Sequence, residues 1–211
     1  MSEPVFKTNL LRMVVLAGPN GSGKSTLTDG LKIDQPFPSL YINADDISRT
    51  ELGHITDPLK RNLEAANLAE RRRHNALTSG QPFAFETVMS TPGKLALFDE
   101  ARAKGYHVDL IFVTTEDVAI NQVRVENRVA KGGHFVDPDK IAERYERTMQ
   151  LLPSAIDKAN SAEVYDNSVT GKRPLRVAWK DETRITFADT YPDWVKERLV
   201  QPIQQRHASR Q

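Results

Sequence analysis

Two hydrophobic patterns alternate along this chain. Short apolar runs bounded by turn residues are typical of buried strands, whereas longer stretches repeat apolar positions every three or four residues, as an amphipathic helix does. The runs predict five strands, at Leu11–Ala17, Ser39–Asn43, Gln81–Glu86, Val108–Val113 and Glu163–Asn167. The longer stretches predict helices at Ser25–Ile33, Pro58–Ser79, Lys94–Lys104, Asp117–Lys131 and from Asp137-Pro138 onward. This alternation predicts an α/β fold, a three-layer sandwich around a mainly parallel five-stranded sheet.

Helix ends and the C-terminal residues refine this picture. Gly80 and Gly105 are predicted to stop two of the helices, and Thr115 is a candidate N-cap for the helix at Asp117–Lys131. Apolar runs at Leu175–Trp179 and Arg184–Phe187 flank a polar turn, which predicts a β-hairpin. A terminal helix is expected around Pro192–Gln205. We therefore predict a core domain at residues 1–170 and a hairpin-and-helix extension at residues 171–211 that packs on it.

A glycine-rich segment joins the first strand to the first helix. Its sequence fits the phosphate-binding P-loop pattern G-x-x-x-x-G-K-[ST], in the strand–loop–helix context that the pattern requires. Backbone N–H groups and the helix N-terminus would bind phosphate, the lysine would bind the β- and γ-phosphates, and the hydroxyl after it would be a Mg²⁺ ligand. The predicted nucleotide-binding residues are Gly18, Pro19, Asn20, Gly21, Ser22, Gly23, Lys24, Ser25 and Thr26, with Ser25 as the metal ligand. A P-loop NTPase fold follows from this motif.

The amino-acid composition further limits the class of protein to which this chain can belong. The 211 residues are 27% charged and 39% hydrophobic with a net charge of +1, so electrostatics do not demand a nucleic-acid partner. Cysteine is absent, which excludes disulfides, thiol catalysis and cysteine-ligated zinc. Residues 1–10 have no signal-peptide pattern, and no apolar run has the length of a membrane span. A cytoplasmic enzyme that uses ATP or GTP is expected.

Acidic residues follow two of the predicted strands. In parallel α/β sheets, ligands bind beyond the carboxyl ends of the strands. Asp45 and Asp46 follow the second strand, where a carboxylate could deprotonate an attacking hydroxyl or help to fix Mg²⁺, or could only cap the next helix. Glu86 and Thr87 end the third strand, where they could bind an acceptor or only face solvent.

Basic residues lie on both sides of Gly132-Gly133. Arg124 and Arg128 share one helix face, and Lys140, Arg144 and Arg147 form a stripe on the next helix. Arginines around a glycine hinge are typical of a lid that closes over a triphosphate, although paired acidic residues would also explain a solvated face. We expect one or two of these five groups to reach phosphate. His134, in the hinge, is interpreted as a loop residue, and no metal besides Mg²⁺ is predicted.

The ordered motifs resemble the zeta-toxin family of P-loop kinases, especially its small stand-alone members. The resemblance spans residues 11 to about 168. The segments that carry it are Ala17–Thr26, Tyr41–Ile47, Phe85–Thr87, Asn127-Arg128 with Gly132–His134, Arg144–Arg147 and Tyr165–Ser168.

The resemblance implies chemistry that the spacing alone does not. Family members phosphorylate UDP-N-acetylglucosamine at a sugar hydroxyl, with ATP or GTP and Mg²⁺. By this resemblance Asp45 is the general base, ahead of Asp46, Lys24 binds phosphate and Glu86 contacts substrate. Arg128 and Arg144 would stabilise the transferred group, with Arg147 close behind. The resemblance also allows an antitoxin protein that blocks the nucleotide site.

Two other functions remain open at this point. A kinase acting on nucleic-acid 5′ ends would need a continuous basic groove. A nucleotide-dependent ATPase or binding module of the ABC type shares the P-loop spelling. However, the chain has neither a Leu-Ser-Gly-Gly-Gln segment nor an apolar strand ending in Asp-Glu.

Overall fold

The computed structural model describes residues 11–34, 37–132 and 136–208, and Gly133 and His134 of the predicted hinge lie outside these ranges. The strands are β1 (Arg12–Ala17), β2 (Leu40–Ile42), β3 (Phe83–Thr87), β4 (His107–Thr114), β5 (Ser161–Asp166), β6 (Leu175–Lys180) and β7 (Ile185–Phe187). The helices are α1 (Lys24–Asp34), α2 (Ala44–Thr50), α3 (Pro58–Ser79), α4 (Gly93–Ala103), α5 (Val118–Ala130) and α6 (Pro138–Lys158). A C-terminal helical segment comprises α7 (Asp193–Val195), a π-helical turn (Lys196–Val200) and α8 (Gln201–Ala208).

One sheet carries all of these strands, in the order β2-β3-β1-β4-β5-β6-β7. The first five are parallel, as predicted, and β6 and β7 are antiparallel. The C-terminal hairpin therefore extends the sheet beyond β5. Because β1 lies between β3 and β4, the chain crosses in opposite directions on its two sides, and ligand sites in such sheets lie at this switch point.

The two faces of the sheet are covered by separate apolar clusters. Met13 and Val15 of β1 point into the larger cluster, whereas Val14 and Leu16 point into a smaller one on the opposite face. Side chains of α3, α4, α6 and the C-terminal helical segment fill the larger cluster. Leu27 of α1 packs against the smaller cluster. Packing on both faces fixes the orientation of β1 and therefore the position of the P-loop that follows it.

Most predicted boundaries are confirmed to within two residues. The helix α3 spans the predicted range and ends at Gly80, whose φ of 67° permits the left-handed cap. The N-cap prediction for Thr115 is wrong: Asp117 caps α5 through a bond from the Ala119 amide, because its side chain stands two residues before that amide. The short helix α2 was not predicted.

A buried ionic cluster joins the starts of three strands, at the end of the sheet away from the P-loop. Asp109 accepts hydrogen bonds from Arg12 Nε at 2.8 Å and from Ser161 Oγ at 2.5 Å, and His107 Nε2 lies 3.2 Å away. Burial alone would raise the pKa of Asp109, but the hydrogen bond from His107 and the charge of Arg12 lower it below its usual value. The cluster therefore stabilises the fold only while Asp109 is ionised.

We expect Asp109→Asn to lower the free energy of unfolding at pH 7 by about 3 kcal/mol, because Arg12 loses its buried partner. The lowered pKa of Asp109 means that its contribution is complete above the pKa of the unfolded chain and is lost as pH falls through the folded-state value. The difference between the two proteins should therefore shrink below about pH 4. Urea unfolding measured from pH 7 to pH 3 tests this, and a difference independent of pH would contradict it.

Candidate phosphate-binding and catalytic site

Two glycines of the P-loop show why a residue with a side chain would not fit there. Gly21 has a φ of 75°, and a Cβ there would lie 2.5 Å from the Asn121 carbonyl oxygen. Gly23 has a φ of 95°, and a Cβ there would lie 2.3 Å from Asn167 Nδ2. Both the torsions and the close neighbours exclude a side chain. The loop is therefore packed tightly against α5 and the end of β5.

Two asparagine side chains hold the loop from outside. Asn121, fully buried on α5, donates from Nδ2 to the Asn20 carbonyl oxygen at 2.6 Å, and its Oδ1 accepts from the Thr115 hydroxyl. Asn167 Nδ2 donates to the Ser22 carbonyl oxygen at 2.8 Å. Inside the loop, the buried atoms Asn20 Oδ1 and Ser22 Oγ have no partner among the described residues. Buried polar atoms without a protein partner are consistent with a loop that binds a polar ligand.

Lys24 lies buried beneath this loop. Its Nζ donates to the carbonyl oxygens of Gly18 and Pro19, each at 2.9 Å, and lies 3.9 Å from Glu86 Oε1. Burial lowers the pKa of Lys24, while the charges of Glu86 and Asp45 oppose this shift and the charge of Arg128 adds to it. The ammonium is thus fixed at the loop, where it can bind phosphate oxygen.

Glu86 connects the loop to the neighbouring strands. It accepts hydrogen bonds from Ser25 Oγ at 3.2 Å, Tyr41 OH at 3.0 Å and Asn43 Nδ2 at 3.2 Å. Burial, and then the charge of Glu86, raise the pKa of Tyr41, so the phenol remains a donor. Glu86 therefore faces the P-loop, and solvent is not its main environment.

Oxygen donors at this position suit magnesium. Ser25 and Glu86 present a hydroxyl and a carboxylate side by side at the start of α1, and Mg²⁺ prefers a few such ligands together with phosphate oxygens and water. These residues fit the implied ion. In the described part of the chain, no three His, Cys, Asp or Glu side chains group into a protein-only metal site.

The two acidic residues after β2 have different environments. Asn43 is the N-cap of α2, since its Oδ1 accepts from the Asp45 amide at 2.8 Å. Asp45 is exposed in the first turn of α2, and its charge acts on Lys24. Asp46 instead forms an ion pair with Arg49 at 2.8 Å. Neither aspartate serves as the cap, which was the alternative to a catalytic role, and only Asp45 is electrostatically coupled to the P-loop lysine.

A cleft of about 1360 Å³ opens beside these residues, between α2, the start of α3 and the end of α5. Its lining includes Asp45, Asp46, Arg124 and Arg128. Arg124 Nη2 also donates to the Thr170 hydroxyl at 3.3 Å. The structure thus brings the two predicted arginines of α5 to the same cleft as the predicted base.

The other predicted site residues are not part of the cleft lining. Arg144 is half-buried on α6, and Arg147 is paired with Glu143 at 2.8 Å; neither lines the cleft. Lys140 is exposed near the start of α6, and Thr26 is exposed on α1. Thr87 accepts from the Met89 amide through Oγ1 at 3.1 Å. Their predicted roles stay predictions.

Sequence reasoning missed Asn121 as a site residue. Asn121 is a single polar residue on the buried face of a helix. Such an asparagine is a weak signal, because a buried amide requires partners. Tyr41 and Asn167 entered only through the family resemblance, without an assigned role.

The fold and the site together define a P-loop kinase. The chain belongs to the zeta toxin family, because the family model described as Zeta toxin matches residues 56–170, more than half of the chain. The matched range begins after the P-loop, so the loop geometry is separate support. An uncharacterized protein of Haemophilus influenzae is 28% identical over 134 residues, which are 64% of this chain and 92% of that protein.

Two solved structures share the fold. The first is of AvrRxo1-ORF1:-ORF2 with ATP; it has a TM-score of 0.67 at 14% identity and covers 84% of this chain. This chain spans 60% of the length of that protein. The second belongs to the PezAT chromosomal toxin–antitoxin system of Streptococcus pneumoniae, with a TM-score of 0.61, 14% identity, and coverage of 97% of this chain and 88% of that one.

No described helix of this chain could cross a bilayer.

We expect Gly23→Ala to weaken the binding of ATP with magnesium at least tenfold and to lower the unfolding free energy by about 1–3 kcal/mol. The strained φ and the contact with Asn167 force the loop to shift. Gly30→Ala, on α1, is the matched control, because a Cβ there meets nothing within 4 Å and alanine favours a helix. Calorimetry and thermal unfolding of both variants test this. Unchanged nucleotide affinity in Gly23→Ala would contradict the interpretation of the loop.

Proposed function

We propose that this protein transfers the γ-phosphate of ATP or GTP to a hydroxyl of a nucleotide sugar, with UDP-N-acetylglucosamine as the first acceptor to test. The observation that carries the proposal is the position of Asp45, exposed at a large cleft and electrostatically coupled to the P-loop lysine. The cleft volume exceeds the roughly 300–1,000 Å³ of common small-ligand pockets, which supports an acceptor of nucleotide size beside the donor. The ATP complex of AvrRxo1 supports a nucleotide donor.

Each residue would have a defined task in the reaction. Asp45 orients the acceptor hydroxyl and takes its proton as the oxygen attacks the γ-phosphorus. The new P–O bond forms as the bond from the γ-phosphorus to the β,γ-bridging oxygen breaks, which leaves the nucleoside diphosphate. Lys24 and Arg128 bind the charged oxygens of the transferred group.

The neighbouring groups hold this arrangement together. Glu86 keeps Ser25, Tyr41 and Asn43 in place, and through Asn43 it fixes the start of α2 that bears Asp45. Magnesium, when bound, neutralises phosphate charge. Arg144, which would stabilise the transferred group, and Arg147, which would bind substrate, have their proposed roles from the family resemblance and the pattern of basic residues. Asp46 and Thr87 have their proposed substrate-binding roles from their positions after strand ends. An antitoxin partner is part of the proposal, supported by the similarity to the PezAT structure.

Replacing the proposed base tests the assignment. We expect Asp45→Asn to lower kcat at least about 100-fold, because general base catalysis contributes on this order, while the Kd for ATP changes less than twofold. Asp46→Asn should cost far less, because that carboxylate is paired with Arg49. The assay measures transfer of labelled phosphate to UDP-sugars with both variants.

The same assay separates the alternatives when a nucleic-acid 5′ end is added to the acceptors. An Asp45→Asn protein with full transfer activity would contradict the role of Asp45. If wild-type protein labels only a nucleic-acid 5′ end, or releases only free phosphate, the nucleotide-sugar acceptor is wrong.

A further inference from the structure

An arginine on the α2–α3 wall of the cleft has no assigned task in this reaction. Arg61 lies in the first turn of α3, and its amide donates to the Asp57 carbonyl oxygen at 2.9 Å. Its Nε is shielded from solvent and has no acceptor among the described residues. A buried guanidinium N–H without a partner is costly, and this one lies in the wall of a ligand-sized cleft.

Besides the proposed base Asp45, two acidic residues of this wall already have partners. Asp46 pairs with Arg49 at 2.8 Å, and Asp57 caps α3 by accepting from the amides of Leu59 and Lys60. Ser48 Oγ, on α2, donates to Asn62 Oδ1 at 3.3 Å, which ties the helix that bears Asp45 to the helix that bears Arg61. Arg61 is therefore a cation held in a fixed relation to the proposed base.

Arg61 also belongs to a surface distinct from the P-loop. Among the described residues, the lining of this cleft includes Arg61 but none of Gly18–Thr26. An anion bound by Arg61 would then belong to the second substrate.

We propose that Arg61 binds a phosphate or diphosphate group of the acceptor and thereby selects a phosphorylated sugar over a neutral one. This inference rests on the proposed function, which supplies an acceptor in this cleft. The planar guanidinium can form paired hydrogen bonds with phosphate oxygens, which a lysine cannot reproduce. With its phosphate held by Arg61, the acceptor would present a hydroxyl to the base on the same wall.

Binding measurements with the nucleotide site filled test this. Wild-type protein, Arg61→Gln, Arg61→Lys and the control Arg71→Gln are loaded with magnesium and a non-hydrolysable ATP analogue. Each is then titrated by calorimetry with UDP-N-acetylglucosamine, N-acetylglucosamine 1-phosphate and neutral N-acetylglucosamine. Arg71 is an exposed arginine on the same helix outside the cleft lining.

We expect Arg61→Gln to weaken the binding of a phosphorylated acceptor about 10- to 100-fold, the range for a lost charged hydrogen bond. Arg61→Lys should retain part of the affinity, Arg71→Gln all of it, and the affinity for the ATP analogue should be unchanged. A loss with both phosphorylated ligands assigns Arg61 to the phosphate next to the sugar, whereas a loss with UDP-N-acetylglucosamine alone assigns it to a nucleotide diphosphate.

Three results would overturn the inference. They are unchanged acceptor affinity in Arg61→Gln, an equal loss of affinity for the ATP analogue, and the absence of binding of either phosphorylated ligand to wild-type protein. Binding that depends on Arg61 without any phosphate transfer would instead reject the proposed function and keep the inference.

Discussion

The site depends on the burial of one ammonium group next to one carboxylate. Lys24 is held under the P-loop by two carbonyl oxygens, and Glu86 is the nearest negative charge. An ammonium without such partners would be very unfavourable in this environment. Burial lowers the pKa of Lys24, and the negative charges of Glu86 and Asp45 oppose this shift. In a nucleotide complex, phosphate oxygens would provide further negative charge next to this ammonium.

Glu86 also positions residues on the side of the site where the proposed acceptor would bind. Its hydrogen bonds with Tyr41 and Asn43 fix the end of β2, and Asn43 in turn caps α2. The position of Asp45 thus follows from the same carboxylate that balances Lys24. The P-loop follows β1, whereas the proposed base follows β2. The side chains of Glu86 and Asn43 connect the two through hydrogen bonds. This explains why the chain keeps polar residues at the ends of two adjacent strands.

Local signals were enough to predict the five parallel strands, the principal helices and the P-loop, because apolar periodicity and glycine positions act within a few residues. The hairpin was predicted, but its attachment to β5 depends on pairing between distant segments such as Ala162 and Lys180. Likewise, the contacts of Asn121 and Asn167 with the loop span 101 and 145 residues. The N-cap of α5 is Asp117, directly before the first helical residue, and several polar residues near a helix start leave the sequence ambiguous on this point. Contacts between residues that are distant in sequence can be identified only once the fold is known.

The same contacts limit how a lid could move. Asn121 ties the first half of α5 to the P-loop, and Arg124 ties its middle to Ser168 and Thr170 after β5. A rigid swing of the whole helix would break a fully buried amide contact and the bonds of a partly buried guanidinium. The proposed closure over a triphosphate would therefore leave the part of α5 up to Arg124 in place. Arg128 lines the cleft and its charge acts on Lys24, whereas Arg144 is not among the lining residues. Arg144 lies on α6, whose Ile141 belongs to the same apolar cluster as Val125 of α5.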